Sequence, residues 1–251
     1  MPSRRRRRRH RVEILILPLL SLLAAVPASA SWEVNGDATA SDFRDFNRRF
    51  SSAAYFYPRH SAAPLGLLGF EVYADATYDK SFDNQSFNTT AVTGDYTGGF
   101  LSIARVGARK GLPGGFDLGV SYGKALGGDV KLVSAEVQYA IFHGGVLAPA
   151  LSVRVTGTRT IDRQAYGLDQ YGAELLLSKG FPAVTPYVGV GFVHSRGTLD
   201  SSFGFSREEN ETRPVAFAGV TLSLLVPKIH IEVEKGEALQ AAVRIGIGLG
   251  K

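Results

Sequence analysis

Cysteine is absent from the 251 residues, which excludes disulfide scaffolds, thiol nucleophiles, cysteine-ligated zinc or iron–sulfur centres and a lipid-modified N-terminal cysteine. Methionine and tryptophan occur once each. Long apolar runs are scarce too. After residue 30 nothing approaches the ~20 consecutive apolar residues of a membrane-crossing helix, so the sequence does not read as an α-helical membrane protein. Glycine is plentiful, with 29 residues, beside 10 Tyr and 15 Phe, a mixture common in closed sheets at membranes.

The formal net charge of +5 suggests nucleic acid until the charges are located. Residues 1–30 hold seven arginines (Arg4 to Arg9, and Arg11) against Glu13, a contribution of +6 that leaves the remainder at −1. No nucleic-acid partner is expected. The basic tract is followed by an apolar stretch from Ile14 to Val26 and by Ala28-Ser29-Ala30, so residues 1–30 read as a signal peptide cleaved after Ala30.

From Phe70 onward the chain alternates with a period of two. Phe70, Val72, Ala74, Ala76 and Tyr78 form an apolar face against Glu71, Tyr73, Asp75 and Thr77. The same pattern recurs at 116–124, 131–141, 151–158, 228–234 and 241–249, and less cleanly at 100–109, 169–179, 184–195 and 214–225. Ten strand candidates result, most near the 9–11 residues of a tilted membrane strand. The apolar faces carry Tyr78, Tyr122 and Tyr139 near their ends, and the polar faces are rich in Gly and mixed charge. That combination suits a narrow lumen with lipid outside better than a soluble sandwich. The connections agree in part. Those after odd-numbered strands include the long polar segments 79–98, 160–169 and 197–213, while the even ones are tight, as in Pro113-Gly114-Gly115 and His143-Gly144-Gly145. The expectation is an all-β fold over 70–251: a closed antiparallel transmembrane β-barrel of about ten strands, eight or twelve being the alternatives.

Residues 31–69 do not alternate. Phe43, Phe46 and Phe50 recur at helical spacing among charges between Ser41 and Ala54, with Ser41 placed to cap, which predicts a short amphipathic helix ended before Pro58. It would sit at the periplasmic mouth or enter the lumen as a plug. The second position is suggested by two uncharged inward faces, Tyr187-Gly189-Gly191-Val193 and Val215-Phe217-Gly219-Thr221.

The inward charges form a network. Glu71 and Asp75 face Arg105 and Arg109, followed by Asp117. Glu136, Arg154 and Glu174 alternate in sign on neighbouring strands. Arg244 lies between Glu232 or Glu234 on one side and, once the barrel closes, Glu71 or Asp75 on the other. The expected role is a salt-bridge network filling a thin barrel, with a selective polar pathway as the alternative.

Catalytic and metal readings are weaker. His194 and Ser195 are sequence neighbours and point to opposite faces of a strand, so they are no ready base–nucleophile pair. His230, Glu232 and Glu234 share a face and could present metal ligands, although Lys228 and Arg244 beside them favour ion pairing. Gly189-Val190-Gly191 and Gly246-Ile247-Gly248-Leu249-Gly250 imitate dinucleotide fingerprints but lie in alternating strands that no helix follows. No cofactor and no metal are expected.

Several segments resemble one family. Leu68-Gly69-Phe70, Lys110-Gly111-Leu112-Pro113-Gly114-Gly115-Phe116-Asp117-Leu118-Gly119, Leu177-Ser178-Lys179-Gly180-Phe181 and Thr185-Pro186-Tyr187-Val188-Gly189-Val190-Gly191 are similar to uncharacterised outer-membrane β-barrel proteins of Gram-negative bacteria. The resemblance covers most of 41–251. It implies a monomer in outer-membrane lipid, inserted by the barrel-assembly machinery, although the chain ends in Lys251 where such barrels often end in Phe or Trp. The expected function is a narrow pore or transport barrel for small solutes. The alternatives are a structural or adhesive barrel acting through its external loops, and a rim enzyme on lipid or peptide.

Overall fold

In a computed structural model, the described residues are 33–34, 39–79, 92–93, 101–126, 130–145, 147–161, 166–199, 207–224 and 227–250. The predicted signal peptide lies outside them, as does most of the 79–98 connection. Ten strands form one closed antiparallel barrel. They are β1 (Phe70–Asp79), β2 (Leu101–Gly111), β3 (Phe116–Leu126), β4 (Lys131–His143), β5 (Ala150–Ile161), β6 (Tyr166–Ser178), β7 (Val184–Leu199), β8 (Arg207–Ser223), β9 (Pro227–Lys235) and β10 (Leu239–Leu249). Each strand pairs with its neighbours in sequence, and β10 closes the ring on β1, with Arg244 opposite Asp75. Of the expected strand counts, ten is the one found. A two-residue ladder, Glu33–Val34 on Val92–Thr93, is a separate sheet and adds no barrel strand.

The barrel is apolar outside and polar inside. Val72, Val120, Val190 and Phe192 are 54–65% exposed on the outer wall, while Arg105, Arg154 and Arg244 are among the largest fully buried side chains. Water would make this distribution costly, whereas a hydrocarbon surround with a sealed interior makes it favourable. Aromatic rings bracket the outer apolar band: Phe70, Phe116 and Tyr139 near the end where the tight turns lie, and Tyr78 and Tyr171 toward the opposite end. Phe70 and Tyr78 are eight residues apart on β1, roughly 26 Å along a tilted strand at ~3.3 Å per residue. At a tilt of ~40° that is about 20 Å of height, near the ~25 Å of an outer-membrane apolar band.

Two expected loops are shorter than the alternation implied. Strand β7 runs to Leu199 and β8 starts at Arg207, so most of 197–213 is ladder, with Glu208 opposite Thr198 and Glu211 opposite Ser195. Likewise β5 reaches Ile161 and β6 starts at Tyr166. The physical reason lies in the surroundings. Above the apolar band the outward residues are Arg159, Asp169, Arg196 and Glu208, paired as Arg159–Asp169 and Arg196–Glu208, both at 2.5 Å. Where both faces of a strand are polar, no period-two hydropathy signal remains.

The helix α1 spans Ala40–Ala54. Its cap is Thr39 and not Ser41: the Asp42 amide donates to Thr39 Oγ1 at 3.3 Å and the Thr39 amide donates to Asp42 Oδ2 at 2.8 Å, a reciprocal capping box. The Thr39 hydroxyl, which donates to Asp42 Oδ2 at 2.6 Å, and then the Thr39 amide hold the Asp42 carboxyl below its ordinary pKa. The helix lies inside the barrel at the end opposite the tight turns, not at the mouth where the turns are. Phe43, Phe46 and Phe50 are buried with Ile103, Ala125, Leu132, Tyr166, Leu168 and Leu199, which sit at strand ends on that side. Residues 55–69 then run the length of the lumen to enter β1 at the tight-turn end, where the Gly111 amide donates to Gly69 O at 3.0 Å.

Candidate functional site

The lumen is filled by this segment, and the barrel wall is shaped around it. The Phe46 and Phe50 rings stack 5.6 Å apart, and Tyr166 meets each edge-on at 5.1 and 5.4 Å. Tyr166 also donates to Asn47 Oδ1 at 2.7 Å. Glycine provides room where the segment approaches the wall most closely. A Cβ on Gly197 would overlap Asn47 Oδ1, and one on Gly172 would overlap Tyr55 Oη. The uncharged faces of β7 and β8 receive Tyr57, whose ring meets Phe217 edge-on at 5.6 Å, in one buried cluster with Tyr55, Tyr187, Val193 and Val215.

The last turn of α1 leaves carbonyls without helical partners and beyond Ala54 the segment is irregular, so these backbone polar groups need partners that no helix or ladder supplies. The inward wall residues provide them. Arg105 Nη2 donates to Ala54 O at 2.8 Å, Arg244 Nη1 to Pro58 O at 2.6 Å, and Arg213 Nη2 to Ser51 O at 2.8 Å. Gln170 Nε2 donates to Ser51 O at 2.7 Å. The Ala62 amide donates to Ser178 Oγ at 3.1 Å and the Leu65 amide to Asp117 Oδ1 at 3.1 Å. Much of the wall's charge therefore holds an internal strand of chain.

At the centre sits Arg59, 0% exposed and the one non-glycine residue among those described with positive φ, at +33°. Its Nη1 donates to Asp75 Oδ1 and its Nε to Glu234 Oε1, both at 2.8 Å, and Nη2 donates to Thr77 Oγ1 at 2.5 Å. The left-handed conformation is costly for a residue with a Cβ, and these bonds over-determine it. The next residue, His60, places Nε2 at 2.9 Å from Glu136 Oε2.

The structure distributes the expected network as follows. Asp75 is the hub: beside Arg59 it receives Arg244 Nη2 at 3.0 Å and stands 4.0 Å from Arg105. Arg109 pairs with Asp117 at 2.6 Å and approaches Glu136 at 3.6 Å. Arg154 Nε donates to Glu174 Oε2 at 2.6 Å, and Tyr55 Oη donates to Glu174 Oε1 at 2.8 Å. Glu71 faces Arg109 in register, yet its contact is with His230 Nε2 at 3.1 Å, reached across β10. His230 Nδ1 in turn lies 2.9 Å from Thr221 Oγ1. Arg244 is paired to Asp75 and not to Glu232 or Glu234. Glu234 is taken by Arg59, and buried Glu232 lies against Tyr187 and Glu234 and has no cation within salt-bridge distance among the described residues. His230, Glu232 and Glu234 are not gathered into a metal site: no such cluster occurs among the described residues. His194 points outward, 2.9 Å from Thr212 Oγ1.

Arg59, His60, Tyr55 and Arg213 were not anticipated. A signal for the first two was present. The inward faces of the strands hold seven acids in the expected network (Glu71, Asp75, Asp117, Glu136, Glu174, Glu232, Glu234) against Arg105, Arg109, Arg154, Arg244 and His230. An interior with that surplus calls for further cations, and Arg59 and His60 of the segment before β1 supply two of them beside Arg213 on β8 and Lys228 on β9.

Below the Arg59 contacts the lumen opens at the tight-turn mouth into a cavity of about 540 Å³, floored by His60 and Leu65 of the internal segment and walled by Glu71, Arg109, Lys228 and His230.

These features define a class: a closed ten-stranded antiparallel barrel whose polar interior is occupied by its own N-terminal segment. No family model matches the chain, and no curated protein matches it. Solved structures do match. LpxR from Salmonella typhimurium is similar at 10% identity and a TM-score of 0.37 over 70% of this chain and 99% of that one. The N-terminal β-barrel domain of OprF from Pseudomonas aeruginosa gives 14% identity and 0.33 over 73% and 99%, and a de novo designed transmembrane β-barrel gives 15% and 0.34 over 74% and 99%. Activities and partners of those proteins stay with them.

Proposed function

We propose that this chain is a Gram-negative outer-membrane barrel of the transport class, closed at rest by residues 40–69, with the tight turns on the periplasmic side and the long connections outside. Small solutes pass when that segment withdraws. The observation that carries the reading is how the segment is held: ion pairs and hydrogen bonds to charged wall residues run along 54–65, beside aromatic contacts of Phe43, Phe46 and Phe50 at the outer mouth and of Tyr55 and Tyr57 deeper in the lumen. Replacing buried ion pairs by well-packed apolar residues is often neutral or stabilising by ~1–4 kcal/mol. A permanently solid interior therefore has little use for so many buried charges, whereas a lumen that is wetted when its occupant leaves needs a hydrophilic wall.

Planar-bilayer conductance tests the proposal on the mature chain and on a variant lacking 31–62, each first shown to run as a folded, heat-modifiable barrel on gels. The full chain stays closed apart from brief openings and the truncated barrel conducts steadily. Steady conductance by the full chain, or silence from a folded truncated barrel, would refute it.

A further inference from the structure

The cavity at the tight-turn mouth has a chemistry that neither the closed barrel nor its plug requires. Its volume of about 540 Å³ falls within the ~300–1,000 Å³ typical of small-molecule sites. The connections around this mouth, 111–115, 143–150, 179–183 and 224–228, contain no acidic residue, while Lys110, His143, Lys179 and Lys228 stand in or next to them. Lys179 and Lys228 hold their ammonium groups 3.3 Å from the carbonyls of Gly145 and Gly250, which places them on the rim. The acids nearest the cavity are already engaged: Glu71 with His230, Asp117 with Arg109, and Glu136 with His60. Arg109 is 3% exposed and lines the cavity, with Nη2 on Asp117 at 2.6 Å and Nε 3.6 Å from Glu136 Oε1. Beside these donors the lining offers the hydroxyl of Thr185 and the apolar surfaces of Leu65 and Phe181. A cationic rim over a concave polar site focuses the field and draws anions inward.

We infer that this vestibule is a binding site for a sugar-sized organic anion, carrying a phosphate or carboxylate group, that enters from the tight-turn side. The anionic group meets Lys228 and Arg109 with His143 at the rim, and the hydroxylated body lies against Thr185 and Leu65. The inference deepens the transport reading by giving its solute class. It rests on that reading only for the side of the membrane from which the solute arrives.

Isothermal titration of the full mature chain in non-ionic detergent at low salt tests it, with glucose 6-phosphate and gluconate as probes and glucose as the uncharged comparison. Saturable one-to-one binding of at least one anion is expected, with glucose giving no saturable heat. Lys228→Ala weakens it at least tenfold, His143→Ala several-fold, and 0.5 M sodium chloride abolishes most of it by screening. Lys228 and His143 lie at the rim, away from the contacts of Arg59, so both variants retain the folded barrel, which heat-modifiable mobility checks directly. The inference is overturned by wild-type protein that binds neither anion, by glucose binding as tightly as the anions, or by unchanged affinity in both variants. Conductance of the truncated barrel is read in a separate preparation, so a failed titration and a failed plug test are distinguishable.

Discussion

Replacing Arg59 by methionine removes the cation on which the plugged state is centred and leaves its stem volume nearly intact. In the wild type the guanidinium answers Asp75, Glu234 and Thr77 with bonds of 2.5–2.8 Å, all fully buried. The two carboxylates fare differently once it is gone. Asp75 keeps Arg244 at 3.0 Å and Arg105 at 4.0 Å. Glu234 loses the donor to its Oε1 and is left facing a second carboxyl, Glu232. Removing one partner of a buried pair costs ~3–5 kcal/mol, and a relaxed backbone at a residue with φ of +33° returns about 1 kcal/mol at most. A net loss of roughly 2–4 kcal/mol multiplies the population of the withdrawn state by about 30- to 1,000-fold, since 1.4 kcal/mol is a factor of ten. Single-channel recording reads this as open time. Arg59→Met opens far more often than wild type, and Arg59→Met with Glu234→Gln closes again in large part, because the orphaned charge has been removed with its partner. Open times indistinguishable from wild type in a correctly folded Arg59→Met barrel would show that the Arg59 ion pairs do not hold the plug.

Three further outcomes follow from other contacts. Gly172→Val forces a side chain into the space of Tyr55 Oη, so overpacking of ~1–3 kcal/mol falls on the plugged state alone; a conducting barrel of unchanged mobility is expected, and a silent one would mean Tyr55 can move aside. Because the carboxyl of Asp42 is lowered by its cap bonds, its stabilisation is complete above the unfolded value of ~3.9 and fades as pH falls through the lower folded value. A pH-dependent loss of first-turn order in α1 below about pH 4 by NMR in micelles, absent in Asp42→Asn, checks that sign. The absence of native cysteine makes Ala40→Cys a clean reporter: a membrane-impermeant maleimide labels it on intact cells, and labelling only after outer-membrane permeabilisation would reverse the proposed orientation.

How much of this was legible depended on which interactions leave a periodic trace. A strand with lipid on one face and lumen on the other writes its alternation into hydropathy. All ten were visible for that reason, including β6, β7 and β8, whose inward faces mix Gln170, Gly191 and Phe217. Where β7 and β8 rise past the apolar band the trace stops at about Ser195 and resumes at Pro214, although the ladder continues to Leu199 and from Arg207. The phenylalanines of α1 were readable by spacing, yet the rings say only that a face is buried, not where. Residues 55–60 carry no period, because each side chain meets a different part of a surrounding wall. Pairings within neighbouring strands, such as Arg154 with Glu174, follow from register alone. The contact of Glu71 with His230 skips a strand and exists only because the barrel curves and closes.

The internal segment also constrains how such a barrel can form. Residues 40–54 lie at the mouth away from the tight turns and residue 69 lies at the other, so the segment spans the lumen from end to end. A ring of ten hydrogen-bonded strands, once shut, offers this segment a narrow opening lined by buried charge. Threading fifteen residues of irregular backbone through it would leave each unpaired carbonyl costing several kcal/mol on the way. Closing β10 onto β1 around a segment already in place avoids that barrier. The bonds support this order, since Arg59 bridges Asp75 on the first strand and Glu234 on the ninth, and Arg244 on the last strand joins Pro58 O to the same Asp75. The segment thus ties together the two edges that must meet, and a chain lacking Arg59 should close its barrel more slowly as well as hold its plug less firmly. Refolding into micelles, followed by the gain of heat-modifiable mobility, measures that rate. An Arg59→Met barrel that closes as fast as wild type while conducting more would separate the two roles and leave the segment a plug but not a template.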